Sequence, residues 1–196
     1  MLKGDQLVNP PSFILILCEG ITEKLYFESI IHNMRIGGVD ILENQGQHKA
    51  LIDKCIKERK KCSEKNDIDE DNIEVWAVCD HDGMKISYQE LLEYASERNV
   101  KLAFSKPRFE AYLLQHFCCR KSIKEKDLDE CLSKKVLEYC GNEYSKSNLG
   151  WIDGMIDYTP QIVESAIRNA NSLNNHTESS FLTVQKLVER LVNLKK

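Results

Sequence analysis

The sequence has no long hydrophobic run, no CxxC pair, no internal repeat and no low-complexity segment. Its longest purely apolar stretch, Phe13 to Cys18, falls far short of the ~20 residues that a membrane-spanning helix needs. The opening MLKGDQLVNPPS lacks the apolar core and small-residue cleavage site of a signal peptide, so a cytoplasmic location is expected. Without CxxC spacing, the eight cysteines do not describe a structural zinc site, and reduced thiols are the expectation. Positive charge is not in excess either: 27 Lys and Arg against 31 Asp and Glu leave a net charge of −4, which argues against nonspecific nucleic-acid binding by the whole surface.

What is present describes a folded α/β protein. A hydrophobic content of 42% with 30% charged residues excludes a disordered chain. Charge is distributed unevenly. Lys54, Lys57, Arg59, Lys60 and Lys61 crowd one stretch, Arg120, Lys121, Lys124 and Lys126 another, while acids collect over 64–74. These basic runs are either solvated helix faces or local contacts for phosphates.

Phe13–Cys18 reads as a buried strand. A helix follows to about Met34, with Thr22 as N-cap, Glu23 in its first turn and Gly37-Gly38 as its stop. Val39–Leu42 is a short second strand. Gln47–Lys65 reads as an amphipathic helix with Ala50, Leu51, Cys55 and Ile56 inward. Ile73–Cys79 is apolar almost throughout after Glu74, as a strand covered on both faces should be. Ile86–Asn99 is helical, Val100–Phe104 is a fourth strand, and Pro107 opens the next helix. Beyond about residue 120 the pattern is helical over 123–140, 151–172 and 181–195, without a convincing strand. The expected fold is a mainly parallel four-stranded sheet flanked by helices, residues 1–120, with a helical part over 121–196.

Ligands of such sheets bind at the carboxyl ends of the strands, where Glu19, Asp80 and Ser105 fall. Asp80-His81-Asp82 presents two carboxylates just past an apolar strand, an arrangement that suits a hard divalent cation such as Mg²⁺. Glu19 would add a third carboxylate, and Gly20 lets the backbone approach a phosphate. Glu23 could reach a second metal, and two metals would clamp the attacking and leaving oxygens of a phosphodiester. Glu110 is a further ligand or a helix-start acid. His81 points away from its flanking aspartates if the stretch is extended. The bland alternative is an acidic turn.

A phosphatase reading uses the same residues. VWAVCDHDG looks like the first motif of haloacid-dehalogenase-type enzymes, with Asp80 as nucleophile and Asp82 as acid/base. Ser105, Lys135, Asp153 and Asp157 would then complete the motifs. Met84 departs from that pattern, and Glu19-Gly20 is left with no role.

The stretches CEGITEKLYFESI, VWAVCDHD, LAFSKPRFEAYLLQHF, YSK at Tyr144–Lys146 and LTVQKLVERL resemble, in that order, the RloB-like proteins, over roughly Ser12 to Leu194. That family is similar to the Toprim superfamily of topoisomerases, primases and OLD-type nucleases. The resemblance implies a metal-dependent nuclease acting on RNA, tRNA included, or DNA in phage defence or abortive infection, beside an ATPase partner of the RloA type. On it, the first Toprim motif falls on Glu19 and Gly20, with Glu23 as second acid. Asp80 and Asp82 form the Asp-X-Asp motif, and Pro107, Phe109 and Glu110 the Pro-X-Phe-Glu element. Water would attack a phosphodiester with Glu19 as general base, while Glu23, Asp80, Asp82 and Glu110 hold Mg²⁺ or Mn²⁺. Lys106 would stabilise transition-state charge. Gly20, Ser105, Arg108 and the basic run over 54–61 would contact phosphates. The chain departs from the family in Lys106, where Asn is frequent, and in Gly83. A non-catalytic subunit docking on the ATPase through helices 151–172 and 181–195 is the remaining alternative.

Overall fold

A computed structural model of the chain describes residues 13–43, 46–119, 124–146, 149–158, 161–173 and 181–194, with the side chains of 155–158 excepted. Arg120 and Lys121 lie outside the described residues, as does the Asp157 side chain.

The sheet is built around β1 (Phe13–Cys18) and β3 (Ile73–Asp80). Pleating sends alternate side chains to opposite faces. Ile14, Ile16, Cys18, Trp76 and Val78 therefore enter one apolar cluster, and Leu15, Leu17, Val75, Ala77 and Cys79 enter another. Apolar residues on both faces mean that both must be covered. Burying a side chain such as Ile16, which is fully buried, contributes about 1.5–3 kcal/mol.

Two layers of helices do the covering. On the first face lie α1 (Ile21–Met34), α4 (Glu110–Leu113), α5 (Glu125–Cys140), α6 (Gly150–Tyr158), α7 (Gln161–Leu173) and α8 (Val184–Leu194). On the second lie α2 (His48–Asn66) and α3 (Tyr88–Ser96). With β2 (Val39–Glu43), β4 (Lys101–Lys106) and β5 (Phe181–Leu182) the strand order is β2-β1-β3-β4-β5. The first four strands are parallel; β5 runs antiparallel to β4, with Leu182 opposite Ser105 and Phe181 opposite Lys106. Thr183 continues that pairing: its N–H donates to the Phe104 carbonyl at 2.8 Å, and its Oγ1 accepts from the Phe104 N–H at 2.8 Å.

The sheet therefore has five strands where the sequence reading expected four, and the fifth comes from the part expected to be helical throughout. The apolar faces of α7 and α8 are buried in the protein's own core, through Val163, Ala166, Ala170, Leu187, Val188 and Leu191. Their main role is thus to cover the sheet.

Local signals were also displaced. Gly20, not Thr22, is the N-cap of α1, and Arg35 in the left-handed region (φ 54°) ends that helix before Gly37. On α2 the inward residues are Leu51, Ile52, Cys55 and Cys62, while Ala50 is exposed. Helix α3 starts later than expected because Ser87 and Glu90 form a reciprocal capping box. Pro107 follows a cis peptide bond and precedes α4 instead of opening it.

No helix among the described residues is long and apolar enough to cross a membrane. None of the eight cysteines forms a disulfide, and Cys18, Cys55, Cys62 and Cys79 are buried.

Candidate functional site

Parallel pairing brings the carboxyl ends of β1, β3 and β4 to one edge. Cys18 pairs with Val78, and Asp80 pairs with Ser105, so Glu19 and Asp80 emerge side by side. The Glu19 N–H donates to the Val78 carbonyl at 3.0 Å, and Glu19 Oε2 lies 3.4 Å from the Asp80 N–H. Helix α1 begins immediately, with Glu23 in its first turn, 6% exposed. Glu110 enters from the first turn of α4, 4% exposed. Asp82 stands beyond the strand and is exposed.

Crowding these acids has a measurable electrostatic consequence. Burial, reinforced by the charges of Glu110 and Glu19, pushes the Glu23 carboxyl up to about 7. Burial also lifts Asp80 well above the ordinary carboxylate range, with Glu23, Glu110 and Glu19 adding to it, against the pull of the Phe109 N–H. Glu19 is raised by burial, and the Asp80 N–H, His48 and Gln47 partly offset that. Although Asp80 keeps some exposure as a residue, its Oδ1 is sealed from solvent and has no hydrogen-bond donor.

Strand β3 carries its own control at the opposite end. Glu74 is buried like Glu23 and Glu110, yet Lys101 Nζ and Arg190 Nε each lie 3.0 Å from its oxygens and Trp76 Nε1 donates at 2.8 Å. Burial would raise its pKa, but the bonds from Lys101, Trp76 and Arg190 outweigh that and lower it. One end of the strand thus holds a neutralised carboxylate and the other holds Glu19, Glu23 and Asp80, each raised first by burial and then by neighbouring acids. Uncompensated buried charge is costly, and function is the usual reason that it persists.

Among the described residues, Glu110 is the acid of the group with lysine and arginine side chains beside it. Lys146 Nζ lies 3.1 Å from Glu110 Oε1, the Tyr144 hydroxyl donates to the same oxygen at 3.3 Å, and Arg108 Nε is 4.0 Å from Oε2. Thr22 Oγ1 donates to the Lys146 carbonyl at 3.1 Å, tying the 144–146 segment to the start of α1. The Tyr144 hydroxyl is raised by burial and by Glu110.

The remaining sequence-based candidates separate into those at this edge and those away from it. Gly20 belongs to the site: a Cβ there would meet Glu23 Oε2 at 2.8 Å, although its extended backbone needs no glycine. Lys106 lies one residue beyond Ser105 and is half-buried. Ser105 is wholly buried, its Oγ without a partner, and so is out of a phosphate's reach. Arg108 turns to α5, with Nη2 donating to Asp129 at 3.0 Å and Nε 3.8 Å from Glu125.

The basic run lies elsewhere because α2 runs back from the carboxyl edge. At 1.5 Å per residue, Lys54 lies roughly 9 Å and Lys61 roughly 20 Å along the helix from His48. Lys54 and Lys61 pair with Glu58 at 3.7 and 2.8 Å, and Arg59 donates to the Asn99 carbonyl at 3.1 Å; Lys57 and Lys60 are exposed. The phosphatase residues do not gather either. Asp153 accepts from Ser29 and Asn33 on α1, and Lys135 pairs with Glu138 at 2.7 Å.

The donor chemistry, carboxylate oxygens only, fits Mg²⁺ or Mn²⁺. The sealed, partnerless Asp80 Oδ1 and the raised carboxyls of Glu19, Glu23 and Asp80 are what a cation would relieve. As the side chains stand, no three His, Cys, Asp or Glu groups among the described residues are arranged to hold a metal ion. Lys146 holds Glu110 Oε1, and the Asp80 N–H faces Glu19 Oε2.

Sequence reasoning missed His48, whose Nε2 donates to the Asp80 carbonyl at 3.1 Å from a left-handed backbone (φ 49°). It also missed Gln47 beside it. The available signal was position, since both follow β2 at the same sheet edge. Tyr144 and Lys146 were visible as a motif but had no assigned place.

A family model described as RloB-like protein matches residues 14–191. No curated protein and no solved structure matches the chain.

Proposed function

The chain belongs to the RloB-like family, and from that premise we propose that it is a Mg²⁺- or Mn²⁺-dependent nuclease that hydrolyses phosphodiesters of RNA, tRNA included, or DNA in prokaryotic phage defence. The observation that carries the proposal is the contrast along β3, between a paired Glu74 and an Asp80 whose buried oxygen has no partner among three other acids.

In this reading Glu19, Glu23, Asp80, Asp82 and Glu110 hold the metal. When bound, the cation would neutralise charge developing on the phosphate and lower the pKa of water. Glu19 is the general base, placed at the end of β1 beside Asp80. Lys146, beside Glu110, and Lys106, one residue beyond the register partner of Asp80, are the cations offered to phosphate oxygens, and Gly20 leaves room for the Glu23 carboxylate. An ATPase partner belongs to the same proposal. Among the described residues the large apolar side chains left exposed include Leu137 and Tyr139 on α5, so that helix offers more docking surface than α7 or α8.

The test is cleavage of tRNA, single-stranded RNA and plasmid DNA in Mg²⁺ or Mn²⁺, comparing wild type with Glu19→Ala and Asp80→Ala. Cleavage lost in both variants is the expected result. Hydrolysis of p-nitrophenyl phosphate that needs Asp80 but tolerates Glu19→Ala would replace the nuclease with a phosphatase.

A further inference from the structure

Beside the carboxylates, on the second face of the sheet, lies a cavity of about 430 Å³. Its walls are Tyr88, Phe104 and Phe181, with His81, Ser87 and Lys106 among the residues around them. Tyr88 and Phe181 rings are 4.7 Å apart and meet edge to face, Tyr88 and Phe104 are 5.0 Å apart, and Phe104 and Phe181 are 6.5 Å apart. Phe104 is the floor, fully buried, whereas Tyr88 and Phe181 are only half-buried. A core aromatic cluster would hide all three rings.

The cavity and the acidic site share a wall. His81 lies between Asp80 and Asp82; its N–H donates to the Ser105 carbonyl at 2.8 Å and its ring meets Phe104 edge-on at 6.4 Å. Lys106 follows Ser105, the register partner of Asp80. A planar aromatic ligand against these rings would therefore sit at the same sheet edge as a phosphate at the acidic site, with Lys106 on the cavity wall.

From this geometry we propose that the cavity is a nucleobase pocket, which makes the substrate an unpaired strand of nucleic acid. The proposal rests on the nuclease reading for the phosphate's place, but the pocket itself stands on the rings. A base inside a duplex has both faces stacked and its edge paired, so only an unstacked base can enter. The polar groups that could read a base edge are few. Ser87 is committed to its capping box with Glu90, so recognition comes from stacking and tolerates any base. The 300–1,000 Å³ range of typical ligand pockets includes this volume.

The experiment uses the Asp80→Asn chain, whose lost metal site keeps substrate intact, and follows the fluorescence anisotropy of a short labelled RNA or DNA strand, alone or annealed to its complement. The single strand should bind at least roughly tenfold tighter than the duplex. Tyr88→Leu and Phe181→Leu should each weaken single-strand binding by roughly 5- to 100-fold, leave duplex binding unchanged, and contrast with a neutral Tyr88→Phe. Equal binding of the two forms, or Leu variants that bind normally, overturns the pocket. If a Leu variant loses its thermal midpoint, crosslinking of the Asp80→Asn chain to a thiouridine-containing strand decides. Adducts on Tyr88 or Phe181 support the pocket, and adducts confined elsewhere overturn it.

The two readings fail separately. Cleavage by the chain with Asp80 intact whose KM ignores Tyr88→Leu removes the pocket and leaves the nuclease. Ring-dependent single-strand binding without cleavage in either metal does the reverse.

Discussion

Lys146 Nζ stands 3.1 Å from Glu110 Oε1, so a residue beyond α5 brings its charge closer to a buried acid at the start of α4 than the local Arg108 does, at 4.0 Å. The lysine is half-exposed, which screens the pair and limits its worth. Lys146→Met should cost about 1 kcal/mol in urea unfolding. Glu110→Gln added to that variant should recover most of the loss, because the cost lies in the stranded carboxylate. An additive double variant would show that the two residues are not coupled.

Two groups titrate in opposite senses, and the difference between variants separates them. Glu23 is raised from 4.5 to about 7 by burial, so between those values the folded chain holds a proton that the unfolded chain has lost. Stability should fall by about 3 kcal/mol as pH rises through that window, and Glu23→Gln should remove the fall. His116 is lowered by burial from 6.5 to about 4, with its Nε2 3.2 Å from the Tyr26 hydroxyl. There the unfolded chain holds the extra proton, so this contribution rises with pH and is lost as pH falls from 6.5 towards 4. His116→Asn should flatten that part. Urea midpoints across pH, without divalent cations, check both; parallel wild-type and Glu23→Gln curves would refute the first.

Divalent cations should stabilise the folded chain. At a hundred times its Kd, Mg²⁺ or Mn²⁺ would add about 2.7 kcal/mol, seen as a rise in Tm. Asp80→Asn and Glu23→Gln should raise the cation-free Tm, because each removes an acid from a repelling group, and should abolish the rise with metal. A wild-type Tm indifferent to both metals would count against the metal site.

Gly20 supplies space and not backbone freedom. Its φ of −131° suits any residue, but a Cβ would press the Glu23 carboxylate from 2.8 Å. Gly20→Ala should cost less than about 1 kcal/mol, since the end of a side chain can turn, while reducing the Tm rise with metal. In a Glu23→Ala background the same substitution should be silent. A persistent cost there would place its cause in the backbone.

Much of the site was legible because strands β1 and β3 are apolar on both faces. In such runs Glu19 and Asp80 mark the ends as sharply as any turn residue would, and Phe13–Cys18 has the bounds expected of it. The edge strand was not legible. Phe181-Leu182 is too short for a periodic signal, and its place is fixed by Ser105, Lys106 and Phe104 across a long sequence separation. Lys146 escaped for the same reason, since its partner belongs to another element and no local pattern names it. Asp80 Oδ1 shows the limit most clearly: sequence can mark a carboxylate at a strand end, but only packing can deny it a donor.

The antiparallel β5 also orders events during synthesis. A ribosome that has released residues through 110 has already delivered every acid of the site, yet the outer edge of β4 is still open. Edge strands with unpaired N–H and carbonyl groups invite other chains. Closure waits for Phe181, Leu182 and Thr183, and Arg190 reaches Glu74 later still. The nascent chain must therefore carry an open β4 edge while the closing strand is translated, and a stalled message would leave an adhesive, incomplete sheet.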